Sequence, residues 1–424
     1  MLHTLKRRLY FIVARYFRFW ARFGLKRWQP RIIAVTGSAG KTTLLHMVEA
    51  QLGDKAHYSH HANSAYGISF DILGLGQVRS SRLDWLGLAL RAPFKALSTK
   101  HLEQFYVVEI DADRRHEAKF IAQLIHPEVT LWVSSLHTHT HGFDESVRSG
   151  DFKTPEEAIA YEYGYILAAT SGLVTLDGDN GQAVAQSSRT TAQVQQITKR
   201  DLSDYKLGKT STSFTLHGQH YQLPALVPQA TFYQLAMVEA LMNYLKLPID
   251  RNYERFVMPP GRSNVLAGLK GVTIIDSTYN NSNLDSMREV IELFAHYPAQ
   301  HKWLIVGDLL EQGKDEAREH QALAKILNDT DFERLLLVGR RLQTYTLPEL
   351  SSEITKREHT VNFTSAPELL TYLTRELSGQ ETLLFKGVGF LEGVIEKLLA
   401  EPSDAAKLVR REPIHAKHRK ALGI

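Results

Sequence analysis

The sequence predicts an α/β protein built from two mostly parallel-sheet domains in series, and three observations carry that expectation. From residue 31 to about residue 400, short apolar runs alternate with segments of helical period, the signature of parallel strands covered by helices. A glycine-bracketed turn, Gly37-Ser38-Ala39-Gly40, stands between the first buried run and the first helical one. Pro259-Pro260-Gly261 then interrupts the pattern before it starts again, which makes it the best domain boundary. At 424 residues, 43% apolar and 23% charged, the chain suits two or three folded domains at roughly 150 residues each. The expected division is a basic amphipathic helix over 1–30, a central domain over 31–258, a Rossmann-like domain over 259–402 and a loose basic tail over 403–424.

Charge is unevenly spread. The formal net charge is +4, yet residues 1–30 hold eight Lys/Arg and no acid, leaving 42 basic against 46 acidic residues afterwards. Wound at 100° per residue, 5–26 place Arg7, Arg8, Arg15, Arg18, Arg22 and Lys26 on one side. Leu5, Leu9, Ile12, Val13, Tyr16, Trp20 and Phe23 fall on the other. A one-signed polar face opposite an aromatic one is the pattern of a helix lying in a membrane interface. A helix packed on its own domain, with solvated arginines, remains the alternative, and RNA binding is a third. No nucleic acid is expected, because the folded part carries no basic excess. No apolar stretch is long enough to span a bilayer, and no cleavable signal peptide is evident. Cysteine is absent, which removes disulfides, thiolate metal sites and a thiol nucleophile and fits a cytoplasmic location, extended by contact with the inner face of the membrane if the helix binds there.

The elements follow in order. Arg31–Thr36 reads as a buried strand and Lys41–Leu52 as the helix after it; Phe105–Ile110 and Val129–Leu136 read as further buried strands. Thr154-Pro155-Glu156-Glu157 is a capping box that should open a helix running to about Thr170, followed by a strand at Leu173–Leu176. Val194 to Leu223 looks like β-hairpins and Thr231–Leu245 like a helix. Beyond the proline break, strands are expected at Val272–Asp276, Trp303–Val306, Leu335–Val338 and Leu383–Phe385, with a capping box at Ser365-Ala-Pro-Glu368.

The chemistry starts at the loop. Backbone N–H groups of Gly37, Ser38, Ala39, Gly40 and Lys41 at a helix N-terminus suit phosphate oxygens, with the Lys41 ammonium on the outer phosphates and the Thr42 hydroxyl, next to Thr43, on Mg²⁺. The motif is a T-G-x-x-G-K-T variant, since Val35 stands where the usual loop has its first glycine. ATP and Mg²⁺ are the cofactors this implies.

With its surroundings, this loop resembles that of the Mur ligases, ATP-dependent enzymes of the bacterial cell-wall peptide, and within them the branch that adds D-alanyl-D-alanine. The resemblance covers 31 to about 400. Asn63-Ser-Ala-Tyr-Gly67, Val107-Val108-Glu109, His139-Thr-His-Gly-Phe143 and Leu176-Asp-Gly-Asp-Asn180 match family motifs in the first half. Gly261-Arg262, Ile274-Ile-Asp276-Ser-Thr-Tyr279-Asn280, Gly307-Asp308-Leu-Leu-Glu311-Gln-Gly313 and His320 match in the second, in the family order.

The resemblance implies a central P-loop-type ATPase domain followed by a Rossmann-like domain, and an acyl phosphate made from a carboxylate and attacked by an amine. It implies that Glu109 and His139 hold a second Mg²⁺, that Arg262 reaches the ATP phosphates from the second domain, and that Asp276 binds ribose with Tyr279 and Asn280 bordering the nucleotide. Asp308, Glu311 and His320 would order the second domain. His137, His139 and His141 alternate and so share a face, but no further ligand cluster supports a zinc site there.

Three departures shape the expectation. No UDP-sugar-binding domain is expected ahead of the loop, so a lipid-linked carboxylate becomes an attractive acceptor. The family's carbamylated lysine falls at Tyr161 or its neighbour, and the Glu162 carboxylate is the candidate substitute as a Mg²⁺ ligand. Finally, H-N-x-x-N is replaced at Ala230 to Gln234, and K-G-S-R reads Lys386-Gly-Val-Gly389. An ATP-dependent ligase joining an amino acid or dipeptide to a carboxylate is the leading reading. A folylpolyglutamate-type ligase and a nucleotide-binding scaffold without ligation are the alternatives.

Overall fold

The computed structural model describes residues 2–60, 62–76, 82–112, 114–133, 143–279, 283–310, 315–356, 360–421 and 423–424. The chain forms two compact units, Met1–Leu202 with Phe232–Phe256, and Ser203–Thr231 with Val257–Ile424.

The first unit is built on an all-parallel six-stranded sheet. Its strands are β1 (Arg31–Thr36), β2 (Ala56–Tyr58), β3 (Phe105–Ile110), β4 (Val129–Trp132), β5 (Leu173–Asp177) and β6 (Gln193–Ile197), in the order β2-β3-β1-β4-β5-β6. β1, β3 and β4 are almost wholly apolar because helices cover both faces of the sheet. The chain leaves β1 toward one edge and returns past it to β4, so β1 lies at a switch in strand order, where α/β sheets form clefts at their carboxyl ends. The helix Pro155–Ala168 starts as expected: Thr154 Oγ1 accepts the Glu157 N–H. The expectation of hairpins from Val194 fails for β6, which pairs in parallel with β5. Its half-exposed pattern belongs to a sheet edge, which alternation alone does not separate from a hairpin.

The second unit holds a three-stranded sheet, β7 (Leu202–Leu207), β8 (Thr212–Leu216) and β9 (Gln219–Leu223), with β8 and β9 forming an antiparallel hairpin. Its main sheet contains β10 (Asn264–Ala267), β11 (Thr273–Ser277), β12 (His301–Gly307), β13 (Arg334–Val338), β14 (Thr360–Phe363) and β15 (Glu381–Lys386), in the order β10-β11-β15-β12-β13-β14. Only β10 runs antiparallel to its neighbour. The helix Ala366–Glu376 starts where the capping box placed it, but Ser365 makes no side-chain cap. Glu368 reaches back to the N–H and hydroxyl of Thr364 instead.

Two expectations about the chain ends change. The tail after 403 is not loose. Leu408 and Val409 are buried, Arg410 and Arg419 face the buried Glu392, and Arg411 pairs with Glu396 at 2.6 Å. These three arginines are neutralised by acids of the helix Leu391–Leu398, a pairing that composition does not reveal. At the other end, Leu2–Trp28 is one helix of 27 residues with three faces rather than two. Ala14, Phe17 and Ala21 are buried in the core of the first unit; Arg18 and Arg22 donate to Phe120 O and Gln123 O; Ile12, Tyr16, Phe19 and Phe23 stay exposed.

Candidate functional site

In the first unit the site is built from the carboxyl ends of β1 and β3. Past Thr36 the chain turns through Gly37 at φ 123° and Gly40 at φ 82°, a region that favours glycine. A Cβ at Gly37 would stand 2.3 Å from the Val133 carbonyl oxygen, and one at Gly40 would stand 2.3 Å from Gln234 Nε2. Both turns therefore require glycine, and between them the backbone is free to curl around an anion. The helix Lys41–Leu52 begins at once, adding the positive end of its dipole. Ser38 Oγ is buried with no hydrogen-bond partner among the described residues. A glycine cradle, a helix N-terminus and an orphaned hydroxyl fit a phosphate group.

Lys41 is buried and folds back over this loop. Its Nζ donates to Gly37 O at 2.7 Å and Ser38 O at 3.2 Å, and stands 3.5 Å from Asp111 Oδ1. The Tyr163 hydroxyl donates to Gly37 O at 2.9 Å and lies 3.4 Å from Asp111 Oδ1. Thr42 Oγ1 donates to Glu109 Oε2 at 3.2 Å, and the Glu109 N–H is held by Ser59 Oγ at 2.8 Å. A hydroxyl beside a carboxylate is the hard oxygen pair that Mg²⁺ takes, so Thr42 and Glu109 fit such an ion. Ala39 lies in the loop and Thr43 in the first helical turn.

Other expected residues divide differently. His139, with His137 and His141, lies outside the described residues, as do Asn280 and Glu311. Glu162 is buried, but its carboxylate faces the backbone N–H groups of His116 and Lys119, at the start of the helix Glu117–Ile125. Burial raises its pKa, and those N–H groups oppose the rise. The helix Pro155–Ala168, which carries Glu162, presents the next residue, Tyr163, to the phosphate loop. Asp111 and Tyr163 escaped the sequence reading. Asp111 lies two residues beyond Glu109 and so shares its side of the strand, a signal that was available.

The second unit gathers its own cluster at the carboxyl ends of β11 and β15. Gly261, at φ 70°, brings the chain against Tyr279, whose N–H donates to Gly261 O at 3.1 Å. The Arg262 guanidinium then lies 4.5 Å from the centroid of the Tyr279 ring. Asp276 is fully buried; its Oδ1 accepts from Thr278 N–H and Oγ1, while its Oδ2 has no partner among the described residues. Burial pushes the Asp276 carboxyl up to about 6, against the pull of Thr278. Lys386 is brought down to about 8 by burial and by Arg262, with Glu289 and Asp276 opposing. Glu289 in turn rises to about 7 through burial and Asp285. Arg262, Asp276 and Tyr279 were expected here; Glu289 was not, because it comes from mid-helix.

Asp308 and His320 order the segment after β12. Asp308 accepts from Leu342 N–H at 3.0 Å. His320 is buried, with Nε2 accepting from Leu309 N–H at 3.3 Å and Nδ1 2.8 Å from Glu316 O. The imidazole thus ties the segment after β12 to the helix Glu316–Asn328.

Residues 261–389 match the family described as Mur ligase, glutamate ligase domain. A UDP-N-acetylmuramoyl-tripeptide–D-alanyl-D-alanine ligase of Buchnera aphidicola is 23% identical over 400 residues, covering 90% of this chain and 79% of that protein. The enzyme of the same name from Mycobacterium bovis is 25% identical over 340 residues, covering 73% of this chain and 58% of its own length. Among solved structures, MurF ligase from Thermotoga maritima in complex with ADP shares the fold. Its TM-score is 0.69 at 19% identity, over 90% of this chain and 82% of that one. Residues 261–389 thus match a Mur ligase domain, and the chain as a whole is similar in sequence and fold to D-alanyl-D-alanine-adding Mur ligases.

Proposed function

We propose that the chain is an ATP-dependent peptide ligase of peptidoglycan biosynthesis, joining a carboxylate acceptor to the amine of an amino acid or dipeptide. The observation that carries this reading is the phosphate loop with Lys41 and Thr42 beside Glu109, on a chain whose relatives are named as ligases of that kind. In the reaction, the acceptor carboxylate attacks the γ-phosphorus of ATP and ADP leaves, giving an acyl phosphate. The amine then attacks the acyl carbon, phosphate leaves, and the amine loses a proton.

The loop N–H groups and Lys41 hold the phosphates in place, and the Tyr163 hydroxyl and Asp111 fix the loop and the ammonium. Thr42 and Glu109 would hold Mg²⁺, which supplies charge neutralisation at the phosphates, with His139 as the further ligand the motif suggests. Arg262 is assigned as a second cation for the phosphates and Asp276 as the ribose partner, with Tyr279 and Asn280 beside the nucleotide. Glu162 is the candidate substitute for the family's carbamylated lysine: its Oε1 is buried with no partner among the described residues, while the carboxylate also faces the start of the helix Glu117–Ile125.

The relatives' names specify a UDP-linked tripeptide and D-alanyl-D-alanine, and these are the first substrates to try. A lipid-linked acceptor is a finer reading, supported by the exposed apolar side chains Ile12, Tyr16, Phe19 and Phe23 of the first helix. Trapping with hydroxylamine tests the chemistry: ATP and the true acceptor should give the acyl hydroxamate without any amine substrate. ATP consumption with no hydroxamate from any acceptor would reject an acyl phosphate.

A further inference from the structure

The helix Leu2–Trp28 is not alone in exposing apolar side chains. It packs beside the helix Arg82–Ser98, where the Tyr16 hydroxyl donates to Ala89 O at 2.7 Å and Arg27 donates to Ala96 O at 2.9 Å. The second helix buries Ala92 and Ala96 and turns Leu86, Leu90, Phe94 and Leu97 outward, one stripe at i, i+4, i+8 and i+11. Leu90 is 65% exposed and Phe94 74%, while on the first helix Ile12 is 57% and Phe19 52%. An isolated exposed leucine needs no explanation, but two adjacent helices with facing apolar crests form a patch that marks an interaction surface.

The charge around the patch identifies what it meets. On the first helix, Arg15, Arg22 and Lys26 are exposed and follow the flank of the crest away from the second helix. On the second, Arg91 is exposed and Lys95 half-buried on the opposite flank, and Lys100 is exposed just beyond its end. Among the described residues of 10–28 and 84–102 no acid is exposed. Apolar and aromatic side chains in the middle with cations along both outer edges match a bilayer whose surface is anionic: the crests enter the acyl boundary while Arg and Lys stay among the phosphates. None of the described helices is long and apolar enough to cross a membrane, so the contact is a surface one.

We infer that the first unit docks on anionic phospholipid membranes through this two-helix face. The inference goes beyond the ligase reading and stands or falls without it. Docking would hold the protein at the surface and raise the local concentration of any acceptor carried there.

The test is co-sedimentation of the full chain with phosphatidylcholine vesicles, with and without about one third phosphatidylglycerol. Binding is expected to strengthen about tenfold or more with the anionic lipid and to weaken with salt. Leu90→Glu with Phe94→Glu should weaken it at least about tenfold, and so should Arg15→Glu with Lys26→Glu. ATP binding and the melting temperature should stay as in the parent, since all four side chains lie outside the phosphate loop. Equal sedimentation of parent and both variants would overturn the inference. So would a parent that ignores vesicles but forms a lipid-free dimer, in velocity sedimentation, that the Leu90/Phe94 variant dissociates; the face would then bind a second copy.

Discussion

The phosphate loop of the first unit and the charge cluster of the second both sit at the carboxyl ends of parallel strands, yet they are held by opposite means. Around the loop, a cation is matched in place: Lys41 has two carbonyls and Asp111 within reach, and the turn needs only two glycines and a helix start. In the second unit the charges come from distant segments and are desolvated together, with Asp276 about 6, Glu289 about 7 and Lys386 about 8. A backbone cradle is organised by local sequence; a buried side-chain cluster exists only after the fold has formed. The first should therefore fail chemically when altered, and the second should show itself in stability and pH dependence as well.

The largest expected effect sharpens the first half of that contrast. Lys41→Ala should lower ATP turnover by about 10³-fold or more while leaving the melting temperature nearly unchanged, as steady-state assays and calorimetry would show. A large loss of stability instead would mean that Lys41 is chiefly a loop brace. Arg262→Ala should cost about 10²-fold in turnover, with a smaller change in the apparent KM for ATP. An unchanged rate would confine Arg262 to its stacking on Tyr279.

The third prediction concerns pH. The Asp276 carboxyl is raised above its ordinary 3.8 to about 6, so the folded state holds that proton more tightly than the unfolded chain. Its contribution is fully present below pH 3.8 and is lost as pH rises through 6. Asp276→Asn should abolish a fall of about 1–3 kcal/mol over that interval, seen by denaturant melts at several pH values. Identical slopes in parent and variant would show that the carboxyl is not desolvated.

The smallest effect separates positioning from chemistry. Tyr163→Phe removes the hydroxyl donor to Gly37 O and should weaken ATP binding by about 1 kcal/mol, a several-fold rise in Kd by titration calorimetry. Unaltered affinity would leave the loop's shape to its glycines alone.

These contrasts also mark what the sequence made legible. The strands, the loop and the order of the motifs were readable because each is a local pattern: an apolar run, two glycines, a lysine and a threonine in succession. Phase was harder. Glu162 and Tyr163 are adjacent, but one residue turns a helix by 100°, and only packing shows that the tyrosine meets the loop while the glutamate caps a neighbouring helix. The first helix has three faces where the sequence pattern shows two, since a small-residue line through Ala14 and Ala21 carries little hydrophobic signal although it is fully buried. Glu392 and its arginines, like Glu289 and Lys386, are long-range pairings with no local signature.

The most direct measurement of the central claim is ADP formation by the purified full chain with ATP, Mg²⁺, UDP-muramoyl tripeptide and D-alanyl-D-alanine, each omitted in turn. ADP release and an amide product are expected only when carboxylate and amine are both present, and neither with Lys41→Ala. Failure to retain ATP, or ADP release indifferent to both co-substrates and to Lys41, would contradict it.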